Sequence, residues 1–168
     1  MQNGIVSTDG SCLSRNNEGH GPIGWAWALH EENREPGKLP RSHADGREDG
    51  TNQQAELTAT LQALQEFAPG RPTPIKNMVI ESDSKYVINS MTVWIENWKK
   101  NGWKNSKKQP ISNIELIQAI DQEIEKRKKL GGTLEFVWVK GHNGNEYNEI
   151  VDTLAREQAT KHDLRDCS

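Results

Sequence analysis

The run Val79-Ile80-Glu81-Ser82-Asp83-Ser84-Lys85-Tyr86 places a carboxylate where a short apolar stretch stops. Residues 78 to 80 read as a compact buried strand, and the polar residues that follow read as the opening of a helix. A second segment, Ile5-Val6-Ser7-Thr8-Asp9-Gly10-Ser11, ends in the same way. A single Asp at the end of an element is ordinarily a solvated residue. Two of them at strand ends are poor choices for a core, because an unpaired buried charge is costly to desolvate, and good choices for holding a divalent cation. That pairing points to metal-assisted chemistry.

The pattern around these two segments predicts the rest of the fold. Residues 4 to 12 form a strand, and Ile23, Trp25, Trp27 and Leu29 alternate with Gly24, Ala26 and Ala28 as in a half-buried strand, so a hairpin is expected. Residues 31 to 50 are polar and carry Pro36, Gly37, Pro40, Gly46 and Gly50; a third strand over 39 to 47 is expected there as an irregular edge. Thr51 with Gln54 makes a capping box, and Leu57, Leu61, Leu64 and Ala68 carry a helix to Pro69-Gly70. Residues 85 to 100 read as one or two short helices. Ser112 with Glu115 suggests a second capping box, opening a helix through Ile117, Ile120 and Ile124 to Gly131-Gly132. Residues 133 to 139 form a strand. A last helix over 146 to 160 turns Val151, Leu154 and Ala155 inward, with Asp152 at the rim. The order β-β-β-α-β-α-α-β-α predicts a mixed sheet with helices packed on it.

A chain of 168 residues suits one domain, and it shows no internal repeat or low-complexity tract. Cys12 and Cys167 have neither metal-ligand spacing nor a disulfide framework, which fits a reducing, intracellular setting. No stretch approaches the ~20 apolar residues that cross a bilayer, and the N-terminus does not read as a leader. A soluble, cytoplasmic protein without membrane contact is expected. The net charge of −3 argues against a generic coat for polyanions, but the charge is uneven. Lys99, Lys100, Lys104, Lys107 and Lys108 crowd residues 96 to 108 against the single acid Glu96, whereas residues 31 to 56 are mainly acidic.

Two more acids stand beside apolar helical stripes: Glu56, in Thr51-Asn52-Gln53-Gln54-Ala55-Glu56-Leu57, and Asp152, in Asn148-Glu149-Ile150-Val151-Asp152. With Thr8-Asp9-Gly10-Ser11-Cys12, Ser82-Asp83-Ser84-Lys85-Tyr86-Val87, the run from Trp94 to Lys104, and Trp138-Val139-Lys140-Gly141-His142 leading on to Asp152, these make five ordered blocks. In that order they resemble ribonuclease H of type 1, the endonuclease that cuts the RNA strand of RNA/DNA hybrids. The likeness spans roughly residues 5 to 160.

The resemblance implies an α/β, ribonuclease H-like fold, a five-stranded mixed sheet with helices on both faces. Residues 1 to 160 would form the single catalytic domain and 161 to 168 a short tail. It implies a pair of Mg²⁺ ions, with Mn²⁺ a possible substitute, held by Asp9, Glu56, Asp83 and Asp152. Hard carboxylate oxygens suit Mg²⁺, and the absence of Cys/His clusters speaks against zinc. His142, in the loop Gly141-His142-Asn143-Gly144-Asn145, matches the family's mobile histidine, which would shuttle protons or help release product. On its own, a loop histidine is ordinarily a plain surface residue.

For the RNA strand, Asn52, Gln53, Glu56 and backbone near Ser11 and Cys12 match the readers of the 2′-hydroxyl. Asn52 and Gln53 also suit plain first-turn positions of a helix. For the DNA strand, the Trp/Lys stretch resembles a basic protrusion: Tyr86, Trp98 and Ser106 align with its channel, and Lys99, Lys100, Trp103 and Lys104 belong to the same segment. Trp94 and Trp98, four apart, equally suit the core face of a helix, Trp94 more than Trp98. Thr51 and Asn113 match a grip on a DNA phosphate. An arginine that some members place two residues before that threonine is Asp49 here, with Arg47 as the nearby substitute. The segment 14 to 21 is longer than the usual glycine-rich turn and leaves open whether Asn16 or Asn17 approaches the metal site. A monomer of low processivity on long hybrids is expected. The competing readings are another nuclease or polynucleotidyl transferase of the same fold, and a non-catalytic module that binds hybrids.

Overall fold

The computed structural model describes residues 2–14, 18–141 and 143–164. Five strands, β1 (Asn3–Cys12), β2 (Gly21–Leu29), β3 (Ser42–Gly50), β4 (Asn77–Ser82) and β5 (Thr133–Trp138), form one sheet in the order β3-β2-β1-β4-β5. β2 runs antiparallel to β1 and to β3, while β4 runs parallel to β1 and to β5. The helices are α1 (Asn52–Glu66), α2 (Lys85–Asn89), α3 (Ile95–Lys100), α4 (Ile114–Lys129) and α5 (Glu146–Lys161), and a π-helical turn, Ser90–Trp94, joins α2 to α3. This is the mixed five-stranded sheet that the sequence predicts.

Alternation along β1 separates two faces. Thr8 pairs with Trp27, which lies in the large core with Leu57, Leu64, Phe67, Ile80, Ile117 and Ile120 under α1 and α4. Asp9 pairs with Ala26, which packs with Ala28, Val151 and Ala155 under α5. The carboxylate of Asp9 therefore belongs to the α5 face. Because parallel β4 pairs Ser82 with Thr8, Asp83 follows at the corresponding position of the neighbouring strand.

Four expectations change. β2 is buried on both faces, not half-buried, since its small residues lie under α5 while its large ones lie under α1. A Cβ on Gly24 would stand 2.0 Å from the carbonyl oxygen of Ala155, so only glycine lets α5 settle this closely. β3 spans nine residues displaced toward the C-terminus of the expected range, and its register is regular apart from a shift near Gly21 and Ile23. Its polar, alternately exposed composition suits an edge strand protected by charge. The Ser112–Glu115 capping box does not form. Asn113 is the N-cap instead, left-handed at φ 61°, and its side chain donates to the Tyr86 hydroxyl at 3.1 Å. Finally, residues 85 to 100 are three joined helical pieces instead of one or two helices.

The Thr51–Gln54 capping box forms as expected, with the Thr51 hydroxyl accepting from the Gln54 amide at 3.1 Å and the Gln54 side chain accepting from the Thr51 amide at 3.0 Å. At the other end of α1, the fully buried Arg127 of α4 donates to the Phe67 carbonyl at 2.8 Å. Both ends of α1 are thus fixed, and with them the position of Glu56.

Candidate active site

Asp9 is buried, at 5% exposure, and its Oδ1 accepts the amide of Gly10 at 2.9 Å. Gly10 has a second consequence. A Cβ there would lie 2.4 Å from the Glu56 amide, so its absence lets the first turn of α1 press against β1 and bring Glu56 to the end of the strand. Glu56 is held by neutral donors: Asn52 Nδ2 reaches its Oε1 at 2.8 Å, and the Ser84 hydroxyl donates to its Oε2. Ser84 also caps α2 by accepting the Val87 amide at 3.1 Å.

Asp83 is fixed through its backbone. Its carbonyl accepts the indole N–H of Trp138 at 3.1 Å, and Gly141 approaches its carboxylate so closely that a Cβ would lie 2.9 Å from Oδ2. Lys85 lies 5.1 Å from the centre of the Trp138 ring. Asp152, on α5, accepts from the Arg156 guanidinium at 2.8 Å.

The electrostatics tie the four acids together. Burial, then the like charges of Asp83 and Asp152, and last that of Glu56, push Asp9 from its ordinary value of 3.8 up to about 9, against the pull of the Gly10 amide. Burial also raises Glu56, opposed by its bond from Ser84 and assisted by the charge of Asp83. The convergence is looser than a finished chelate. Among the described residues, no three His, Cys, Asp or Glu side chains stand close enough to cage an ion as placed. Two of the carboxylates are engaged by partners of their own, Glu56 by Ser84 and Asn52, and Asp152 by Arg156.

Below this end of the sheet a polar clasp seats the start of α5. His30 stacks on Tyr147 at 3.8 Å and takes part in a 2.8 Å hydrogen bond with Ser7, while Glu81 lies 3.8 Å from it. Burial holds the His30 imidazole below its ordinary value of 6.5, against the charge of Glu81. Asn145 caps α5 by accepting the Asn148 amide at 3.0 Å and reaches Glu81 at 3.5 Å, and Arg34 pairs with Glu146. Sequence reading missed this clasp, together with Ser84, Trp138 and Arg156. Only Arg156 left a signal, its i,i+4 spacing from Asp152.

The other expected residues fall as follows. His142, Asn16, Asn17 and Cys167 lie outside the described residues. Ser11 and Cys12 are half-buried at the end of β1, with the Cys12 thiol donating to the Gly50 carbonyl at 3.6 Å. Burial, then the charge of Asp49, raises that thiol above its ordinary value. Gln53 is exposed on the first turn of α1, and the Thr51 hydroxyl is engaged in the cap. Arg47 donates to the Asp49 carbonyl at 2.9 Å and to Gln54 at 3.1 Å, which places it beside that cap.

Tyr86, Trp94 and Trp98 form a row with ring centres 6.3 and 6.0 Å apart. The expected order of their burial is reversed: Trp94 is 39% exposed, whereas Trp98 packs against the core, as does Trp103. The reason is the π-helical turn, which shifts the helical register ahead of α3. Lys99 bonds Asp121 of α4 at 2.9 Å, so its charge is partly spent within the fold. Lys100, Lys104 and Ser106 are exposed.

A family model described as RNase H matches residues 1–160. A ribonuclease H from Vibrio vulnificus is 38% identical over 161 residues, 96% of this chain and 92% of its own length. One from Rhodopseudomonas palustris is 35% identical, with 96% and 95% covered. Among solved structures, LC9-RNase H1, described as a type 1 RNase H with the type 2 active-site motif, superposes with a TM-score of 0.78 at 27% identity, covering 96% of this chain and 74% of that one. A match along nearly the whole chain places it in the ribonuclease H family, as an enzyme of its type 1 branch.

Proposed function

We propose that this chain is an endonuclease that hydrolyses the RNA strand of RNA/DNA hybrids, leaving 5′-phosphate and 3′-hydroxyl ends, with Asp9, Glu56, Asp83 and Asp152 holding two Mg²⁺ ions. Mn²⁺ is a possible substitute. The observation that carries the reading is Asp9, a buried carboxyl raised to about 9 by its surroundings and three other acids, with a neutral amide as its one hydrogen-bond donor among the described residues. Such a site favours a bound cation, because a cation restores the charge that burial opposes. The donors are hard oxygens, which suits Mg²⁺. When bound, such an ion pair supplies an activated water and stabilises the charge that develops on the phosphate and on the leaving oxygen.

The chain's own residues supply placement. Gly10 admits Glu56 to the end of β1, Ser84 orients the Glu56 carboxylate, and Trp138 and Gly141 set Asp83. α5 sets Asp152. His142 is assigned proton transfer or product release near neutral pH. Ser11, Cys12, Asn52 and Gln53 are assigned to the RNA strand, with Glu56 shared between the two tasks. Tyr86, Trp98, Trp103, Lys100, Lys104 and Ser106 are assigned to the DNA strand, with Lys99 tying α3 to α4 through Asp121 beside them, and Thr51 and Asn113 to one of its phosphates. Residues 1 to 160 act as one catalytic domain, as a cytoplasmic monomer. Among the described residues, no helix is long and apolar enough to cross a membrane.

The test uses labelled RNA/DNA, RNA/RNA and DNA/DNA duplexes with and without Mg²⁺. Cleavage of the hybrid alone, in Mg²⁺ alone, is the expected result. Binding of the hybrid without cleavage under any divalent ion would reduce the protein to a binding module.

A further inference from the structure

We propose that Arg156 is the built-in counter-ion of Asp152 and competes for that carboxylate with the divalent ion assigned to it. The inference rests on the reading of the four acids given above. Among the described residues, Arg156 is the one cation that touches any of the four, at 2.8 Å from Asp152 Oδ2. Asp9 and Glu56 have neutral donors, namely the Gly10 amide, Asn52 and Ser84. The four acids are therefore not equivalent toward a cation. An ion approaching Asp9 or Glu56 displaces no positive charge, and one approaching Asp152 meets a guanidinium already there.

The pair is built to yield without moving the helix. Ala155 and Ala159 are fully buried, and the carbonyl of Ala155 lies so close over Gly24 that α5 has no slack toward the sheet. Both residues sit on α5, so they separate by side-chain rotation. The Arg156 side chain is 59% exposed and borders an open groove with Leu13, Thr153, Glu157 and Thr160, so it has room to turn into water. An exposed i,i+4 ion pair favours contact by only about a factor of two. Such a pair biases Asp152 toward one rotamer before the ion arrives and gives way when it does. The guanidinium also repels a divalent ion nearby, which weakens the step that depends on Asp152 relative to the rest of the site.

The test is Mn²⁺ titration without substrate, read by calorimetry and by electron paramagnetic resonance of free Mn²⁺. The proteins compared are the wild-type chain and its Asp9→Asn, Asp152→Asn, Arg156→Gln and Arg156→Lys variants. Asp9→Asn should lose Mn²⁺ binding, and Asp152→Asn should lose one step. That same step should tighten about fivefold in Arg156→Gln and stay within about twofold of wild type in Arg156→Lys, where the charge is kept. An unchanged or weakened step in Arg156→Gln overturns the competition and leaves the carboxylate reading standing. No step lost in Asp152→Asn also overturns it. A wild-type chain that binds no Mn²⁺ overturns both. Circular dichroism melting of each variant shows that it is folded, and a change in melting without a change in Mn²⁺ affinity makes Arg156 merely structural.

Discussion

On one face of the sheet α1 and α4 bury Leu57, Leu64, Phe67, Ile80, Ile117 and Ile120, whereas on the other α5 buries Val151 and Ala155 against Ala26 and Ala28. At ~1.5–3 kcal/mol for each large aliphatic side chain withdrawn from water, the first face supplies most of the apolar stabilisation. The second relies on close approach over Gly24 and on polar clasps, among them His30 stacked on Tyr147 and Arg34 paired with Glu146. Asp9 faces this thinner side, where the position of α5 decides how far Asp152 stands from it. The first face governs whether the chain folds, and the second governs whether the acids are correctly arranged.

The sharpest way to break this division is Asp9→Asn. Hydrolysis should fall to background while hybrid binding persists, and retention of normal Mg²⁺-dependent turnover would refute the assignment. The same variant should gain stability in chelator. Asp9 is raised from 3.8 to about 9 in the fold, so the folded state binds the proton more tightly than the unfolded chain. Its contribution to stability is fully present below about pH 4 and is lost as pH rises toward 9. In chelator at pH 8, the wild-type chain should therefore melt several degrees below Asp9→Asn, and at pH 4 the two should nearly coincide. Parallel melting curves at both pH values would show that Asp9 carries no such burden.

Next in size is a matched pair of core changes. Leu64→Ala on the α1 face should cost about 2–5 kcal/mol through the cavity it leaves, and Gly24→Ala under α5 about 1–3 kcal/mol or more through overpacking. Denaturant titration gives those numbers. At a temperature where both variants remain folded, Leu64→Ala should keep its turnover, whereas Gly24→Ala should lose most of it because α5 carries Asp152 outward. Equal losses of turnover would erase the distinction between the faces.

The asymmetry also explains which parts of the molecule were legible in the sequence. The α1 face announces itself by periodicity: Leu57, Leu61 and Leu64 recur at helical spacing, and Thr51 with Gln54 marks the start. The α5 face is made of alanines and glycines, whose value lies in what they leave out. Residues 23 to 29 consequently read as half-buried, since nothing local shows that a helix covers the small side. The acids themselves were legible because charge at a strand end is chemically unusual. Their partners were not, because Ser84, Trp138 and Arg34 reach them or their helices across the fold. The Ser112–Glu115 box failed for a related reason: Asn113, one residue on, is drawn into a bond with Tyr86, a long-range contact that outcompetes a local cap.

The smallest expected effects lie in the lysine-rich segment formed by the last turn of α3 and the residues after it, which belongs to neither face. Substituting Lys100, Lys104, Lys107 and Lys108 together should raise KM more than it lowers kcat, because phosphate contacts contribute to binding and not to the chemical step. Each lost phosphate contact should also reduce the slope of log affinity against log salt by about 0.7–0.9. Lys99 separates from this group. Its ammonium bonds Asp121 at 2.9 Å, and that bond raises its pKa, so Lys99→Ala should leave the salt slope nearly unchanged and loosen the packing of α3 on α4 instead. The cost should be no more than about 1 kcal/mol, the range of an exposed ion pair. A salt slope that falls as much for Lys99→Ala as for Lys100→Ala would show that the Asp121 bond opens whenever a hybrid is present, and that the protrusion draws on the core for its charge.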